Sequence, residues 1–406
     1  MLFTAPLALP SAKRRICLLL GLLFTTTPLT QAATSTERYI VLLRQEDTAP
    51  AQTGGVAVSS ERTGRRWALQ QFARVNRLEP LIIIPELQLF SVQLSTQQLQ
   101  DIRRQPQVAL VEPDPLRYML NTAVNPLQHT APPALQPVPP PATLQSPRKV
   151  CVIDSGYALQ HEDLHSAAVS GEGIAESDNI AADSWEQDEQ GHGTHVAGII
   201  AGLAQRPSGP GRLGLLSLHI IKVFRHNQNW IYASELIAAL RQCQAAGAQL
   251  ANLSLGGPGY SAAEAQAVTS STTGGLLLIA AAGNSGDDTK FYPASYPVVL
   301  SVTATDAQGE PAAFSPTHRS IDIAAPGVGI QSTWPDGTYR HRTGTSIAAA
   351  QVTSLAALLW SYYPQCNHQQ ISQVLQDTAT RRTLTFGEIN FQAAFAALMP
   401  GCDAPD

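Results

Sequence analysis

A serine hydroxyl hardly ionises at neutral pH. It attacks a carbonyl only where a base within hydrogen-bond reach takes its proton and a third group holds that base in one tautomer. This chain carries residues of those three types at turns beside apolar runs. Ser346 follows Gly344-Thr345 and precedes the run from Ala348 to Tyr362, rich in Ala and Leu and free of Gly and Pro. A helix starting near the serine directs its positive end at developing negative charge. His192 lies in Gly191-His192-Gly193-Thr194-His195-Val196-Ala197-Gly198, at the mouth of a second apolar helical run, and Asp154 ends the apolar strand Val150-Cys151-Val152-Ile153 before Ser155-Gly156. These types allow Ser346 as nucleophile, His192 as general base and then acid, and Asp154 as the acceptor that orients the imidazole. Asn284, in Gly283-Asn284-Ser285-Gly286, supplies an amide donor suited to an oxyanion. Each segment alone also has a plain structural reading, an N-cap or an ordinary turn.

From Lys149 onward, near-continuous apolar strands alternate with helical runs: Val150 to Ile153, the helix after His192, Leu218 to Phe224, the helix Tyr232 to Ala246, Leu250 to Leu255 and Leu276 to Ala281. That alternation predicts an α/β fold with a parallel sheet buried on both faces by helices. Ligands bind such sheets at the carboxyl ends of strands, where Asp154, Leu255 and Asn284 fall.

Taken in order, the Asp, His, Gly-Asn and Gly-Thr-Ser segments resemble the subtilisin-like serine proteases, the subtilases, from about Lys149 to the region of Pro364. The resemblance implies a serine endopeptidase with Asp154, His192 and Ser346 as its triad and an oxyanion hole made by Asn284 and the Ser346 N–H. It also implies that Ser254-Leu255-Gly256 and Ala281-Ala282-Gly283 flank the cleft and pair with substrate backbone, and that Phe291 shortens the main side-chain pocket. His195 is implied to be structural, and Asp188 to support the loop before His192. The His192-x-x-His195 spacing lacks the internal Glu of a zinc helix, so no metal is expected there. Asp163 is one family-like calcium ligand, yet Gln205 to Leu213 contains no Asp or Asn to complete the strong site, so no calcium is expected at that position, and no cofactor is implied. Ile347, Ala350 and Gln351 stand where the family often has Met, Pro and His, which puts the packing of the nucleophile helix in question.

Upstream, Tyr39 to Leu43, Leu81 to Ile84, Leu89 to Leu94 and Val108 to Val111 read as strands. Thr63 to Asn76 and a run opened by the capping box Ser95-Thr96-Gln97-Gln98 read as helices. Such interleaving predicts a small α+β unit of the split βαβ kind. With the motifs downstream, it resembles the inhibitor-type propeptide of secreted subtilases. That resemblance implies a self-inhibited precursor whose exit strand, Asp114 to Asn121, crosses the cleft and is cut between Leu116 and Val124. Pro126 to Pro147, with Pro139-Pro140-Pro141 at its centre, has the composition of an extended spacer. The organisation expected is a signal peptide over 1–33, an inhibitor-like unit over 34–121, a proline-rich linker over 122–148 and a catalytic domain over 149–406.

The leader rests on Lys13-Arg14-Arg15, the apolar run Ile16 to Phe24 and small residues ending at Ala32-Ala33, which is too short to span a bilayer. It predicts a secreted or periplasmic protein without a membrane anchor. After Asn121 there are 13 Lys/Arg against 22 Asp/Glu, a net charge of −9. No basic patch is interleaved with aromatics, so the partners expected are peptide or protein substrates and the chain's own propeptide, not nucleic acid. Four cysteines follow the leader, allowing three pairings. Cys366 with Cys402 would fasten the C-terminal segment, and Cys151 and Cys243 read as buried thiols. The alternative from another class is a catalytically silent peptide-binding protein on the same fold. An esterase reading lacks the Gly-x-Ser-x-Gly elbow.

Overall fold

The structure, a computed structural model, describes residues 36–44, 55–120, 146–164, 168–174, 184–202, 216–381, 386–398 and 402. The leader, residues 121–145 of the exit and proline-rich stretch, and the loop from Gln205 to Leu213 lie outside them.

The N-terminal unit runs β1 (Glu37–Leu43), α1 (Gly55–Val75), β2 (Pro80–Ile84), β3 (Leu89–Leu94), α2 (Thr96–Arg103) and β4 (Val108–Pro113). Its sheet has the order β2-β3-β1-β4 and is antiparallel throughout. Two-residue alternation sorts the strand side chains onto opposite faces. Tyr39, Val41, Phe90, Val92 and Leu94 pack with Leu69, Ala73 and Ile102 of the two helices. Ile40, Ile82, Ile84 and Leu89 point the other way, onto Ala233, Ile237, Ala263 and Ala267 of the larger unit. Ser95 caps α2 as its sequence foretells: its hydroxyl accepts from the Gln98 N–H (3.3 Å) and Gln98 Oε1 accepts from the Ser95 N–H (3.0 Å). The first helix begins at Gly55, eight residues before the expected Thr63.

The chain then leaves through β5 (Leu116–Met119). The larger unit follows as β6 (Arg148–Asp154), β7 (Val169–Gly173), α3 (His192–Ile200), β8 (Leu216–Lys222), β9 (Trp230–Tyr232), α4 (Ala233–Ala245), β10 (Leu250–Leu253), β11 (Leu255–Gly256), α5 (Ala262–Thr273) and β12 (Leu277–Ala281). It continues with β13 (Leu300–Thr305), β14 (Ile323–Pro326), β15 (Ile330–Thr333), β16 (Tyr339–Arg342), α6 (Thr345–Tyr362), α7 (His368–Asp377), β17 (Gly387–Glu388) and α8 (Phe391–Leu398). Eight strands form one parallel sheet in the order β17-β14-β13-β12-β10-β6-β8-β7. Val150, Val152, Leu250 and Ile279 face α3 and α6, whereas Cys151, Ile153, Ala251 and Leu278 face α4 and α5. Both faces are therefore apolar, which is why these strands read as continuous hydrophobic runs.

α6 is buried on all sides, and its alanines 348, 349, 350, 356 and 357 let it approach β10, β12, β13 and β14 closely. Ile347 and Ala350 join that core, and the Gln351 amide donates to the Pro326 carbonyl, so the unusual residues after the serine are accommodated. The cysteines depart from expectation in one respect. Cys366–Cys402 is bridged, and so is Cys151–Cys243, because Cys151 is on the face of β6 turned toward α4, with the two Cα atoms 5.6 Å apart.

Candidate active site

Asp154 is the last residue of β6, at the carboxyl edge of the sheet, and His192 is the first of α3. The N-terminus of that helix is tied down by Asp188. Its Oδ1 accepts from the Gly191 N–H (2.8 Å) and the Ser155 hydroxyl (2.8 Å), and its Oδ2 accepts from the Thr194 N–H (2.8 Å) and hydroxyl (2.6 Å). The turns carrying Asp154 and His192 touch at Gly193, where a Cβ would lie 2.4 Å from the Gly156 carbonyl oxygen, so a side chain there would push the two apart. Pressed together, they set His192 Nδ1 2.7 Å from Asp154 Oδ1 and His192 Nε2 3.2 Å from Ser346 Oγ. An N–H on Nδ1 donates to the carboxylate, which leaves the Nε2 lone pair facing the serine. All three side chains are buried, and Asp154 Oδ2 has no hydrogen-bond partner among the described residues.

Ser346 is the second residue of α6, where the N–H has no acceptor within the helix. Asn284 stands beside it. Its Oδ1 accepts from the Thr345 N–H and the Thr345 hydroxyl, both at 2.9 Å, which fixes the amide and turns Nδ2 inward. That Nδ2 is buried and has no hydrogen-bond partner among the described residues. A Cβ on Gly344 would lie 3.3 Å from each of Asn284 Nδ2, Leu120 O and Ser346 Oγ, so these polar atoms surround one point that only glycine leaves open.

Leu120 belongs to the exit segment of the N-terminal unit. β5 lies between β11 and β9, antiparallel to both, with Met119 opposite Leu255 and Tyr118 opposite Gly256. The Leu120 N–H donates to Ser254 O (3.3 Å), and the Ser346 hydroxyl donates to Leu120 O (2.7 Å). Ser254, Leu255 and Gly256 thus meet this strand. Ala281 and Ala282 do not share in that pairing: Ala281 is committed to β13, and the Ala282 N–H donates to Val302 O (2.9 Å). Gly256 and Gly283 both pack against Phe291. A Cβ on Gly256 would lie 3.5 Å from both Leu120 Cδ1 and Phe291 Cβ, and one on Gly283 would lie 2.9 Å from the Phe291 ring.

His195, one turn beyond His192, faces away from the serine. Its Nε2 lies 2.9 Å from Arg340 O and 3.2 Å from Ile330 O, both acceptors, so that nitrogen carries the proton, and burial pushes its pKa down to about 3. Asp163 is engaged by the Tyr339 hydroxyl. Among the described residues, no group of three or more His, Cys, Asp and Glu side chains is arranged to hold a metal ion. Ser155, Thr194 and Thr345, which stand in the quoted motifs without an expected role, hold the site together. Each adjoins a quoted motif residue, and that adjacency was the only local signal.

Residues 146–395, more than half of the chain, match the subtilase family. The chain belongs to the subtilases. This subtilase is 37% identical to subtilisin DY of Bacillus licheniformis over 254 residues, 61% of this chain and 90% of that protein. It is 33% identical to subtilisin E of Bacillus subtilis (strain 168) over 374 residues, 89% and 91% of the respective chains, so that similarity reaches into the N-terminal unit. Among solved structures, a psychrophilic subtilisin-like protease from Pseudoalteromonas sp. AS-11 aligns with a TM-score of 0.57 at 25% identity, covering 64% of this chain and 95% of its own. Fervidolysin from Fervidobacterium pennivorans aligns with a TM-score of 0.70 at 21% identity over 91% of this chain and 62% of its own, a likeness of fold. The subtilase described here is a serine endopeptidase. None of its described helices is long and apolar enough to cross a membrane.

Proposed function

We propose that the protein is an exported endopeptidase made as a self-inhibited precursor, with Ser346 as nucleophile and the Leu120–Asn121 bond as its first substrate. The observation that carries this reading is the Leu120 carbonyl oxygen 2.7 Å from Ser346 Oγ, brought there by a strand that pairs as a peptide substrate would. The Ser346 hydroxyl turns from Leu120 O to His192 Nε2, 3.2 Å away, which takes the proton as Oγ attacks; Asp154 holds the imidazolium that results, and Asn284 Nδ2 with the Ser346 N–H receives the oxyanion. The proton then passes to the leaving amine, and water repeats the sequence to release the acyl group. In this reading 34–120 is the inhibitory segment, 1–33 directs export, and the catalytic domain begins near 149. The basic, apolar and small-residue pattern of the leader supports export.

The test is the intact mass and N-terminal sequence of the secreted wild type beside Ser346→Ala. A wild-type product beginning at Asn121, with the variant uncut there, is the result expected. Identical trimming of both, or none in either, overturns self-processing by Ser346.

A further inference from the structure

Arg117 lies in β5, three residues before Leu120, and is the largest side chain fully buried among the described residues. All five of its N–H donors meet acceptors. Nε donates to Glu264 Oε1 (3.0 Å); Nη2 donates to Glu264 Oε2 and to Gly259 O (3.0 Å); Nη1 donates to Pro258 O (3.4 Å) and to Leu116 O (3.0 Å). Four of these acceptors belong to the larger unit, and only the Leu116 carbonyl travels with the exit segment. Glu264, in the first turn of α5, is itself fully buried, and the Tyr296 hydroxyl reaches its Oε2 at 2.8 Å. Among the described residues no other cation pairs with Glu264.

A buried carboxylate is costly unless a positive group meets it, and an interior serving only to pack α5 would be apolar there. The positive group here comes from the strand that occupies the cleft. Its depth is fixed by Gly257, where a Cβ would lie 2.4 Å from Leu116 O. Resting on the reading above, in which substrates lie along β11 as β5 does, we propose that Glu264 with the Pro258 and Gly259 carbonyls and Tyr296 forms an arginine-selecting subsite. The preferred substrates are then peptides with arginine three residues before the residue whose carbonyl is attacked. The planar guanidinium satisfies two carboxylate oxygens and two carbonyls at once, which the compact ammonium of lysine does not. A neutral side chain leaves Glu264 without a counter-charge.

The full chain is expressed and allowed to mature, and hydrolysis of casein, lost in Ser346→Ala, checks the peptidase reading by itself. On that preparation kcat/KM is measured for acetyl-X-Tyr-Met-Leu reporter amides with X as Arg, Lys, citrulline, Leu or Ala. Arg should exceed citrulline, Leu and Ala by about tenfold or more, and Lys by less. Citrulline has nearly the shape of arginine without its charge, so the comparison isolates the carboxylate. In Glu264→Gln the ratio of Arg to Leu should shrink to within about threefold, a ratio taken within one enzyme and so insensitive to its folded fraction. Casein hydrolysis with Leu or Ala equal to Arg, or an undiminished Arg preference in Glu264→Gln, overturns the subsite and leaves the peptidase standing. Absence of casein hydrolysis overturns both.

Discussion

At the scale of single residues, His195 shows how a histidine within three residues of a proposed base can be kept out of the chemistry. Its protonated nitrogen faces two carbonyls, its Nδ1 is buried with no partner among the described residues, and a second proton would bring an unsolvated charge. With a folded pKa of about 3 against the ordinary 6.5, the unfolded chain binds a proton between those values that the folded chain does not. Stability from this group is therefore complete above about pH 6.5 and is lost as pH falls toward 3, by at most about 5 kcal/mol. His195→Gln keeps an N–H for the same carbonyls and does not titrate. Denaturant midpoints measured from pH 7 to pH 4 should fall less steeply in that variant than in the wild type, and parallel curves would refute the assignment.

At the scale of elements, the site depends on how the first turn of α3 is held. Asp188 answers two of its N–H groups and two hydroxyls from inside the protein, at distances between 2.6 and 2.8 Å. Asp188→Ala would leave those donors buried and unpaired, costing about 2–4 kcal/mol, and would let His192 drift, so kcat should fall more than KM changes. Chemical denaturation and steady-state kinetics check both; an unchanged midpoint would show that water replaces the carboxylate. Much of this architecture was legible. Val150 to Asp154 reads as a buried strand ending in an acid, and Gly344-Thr345-Ser346 before an alanine-rich run reads as a helix start, because period and punctuation are local properties. β7 was not legible, since Val169-Ser170-Gly171-Glu172-Gly173 is an edge strand with one apolar residue. Nor was α5, whose buried side is built of two alanines, a glutamate, a valine and two hydroxyl residues with no clear apolar stripe. Cys151 and Cys243 lie 92 residues apart, and only the sheet's face assignment brings them together. Arg117 and Glu264 are separated by 147 residues, so their pairing left no local trace.

At the scale of the whole molecule, the N-terminal unit is held at three places. Its open sheet face covers α4 and α5. Two carboxylates sit at the N-termini of those helices: Glu112 accepts from the Ala262 and Ala263 N–H groups (3.0 and 2.9 Å), and Asp114 accepts from the Ser234 N–H (3.0 Å). Asp114 also receives Arg38 Nε (3.0 Å), whose guanidinium lies 4.0 Å from the centre of the Tyr232 ring. β5 then carries the chain from this docked unit between β11 and β9 to Ser346. Because the serine and the bond it faces lie on one molecule, the number of molecules present does not enter the rate. If the cut is the chain's own, its half-time should stay constant when freshly folded precursor is diluted a hundredfold, and a half-time that lengthens on dilution would mean one molecule cutting another. Each newly made copy would then mature on its own clock, as readily alone in dilute surroundings as in a crowd.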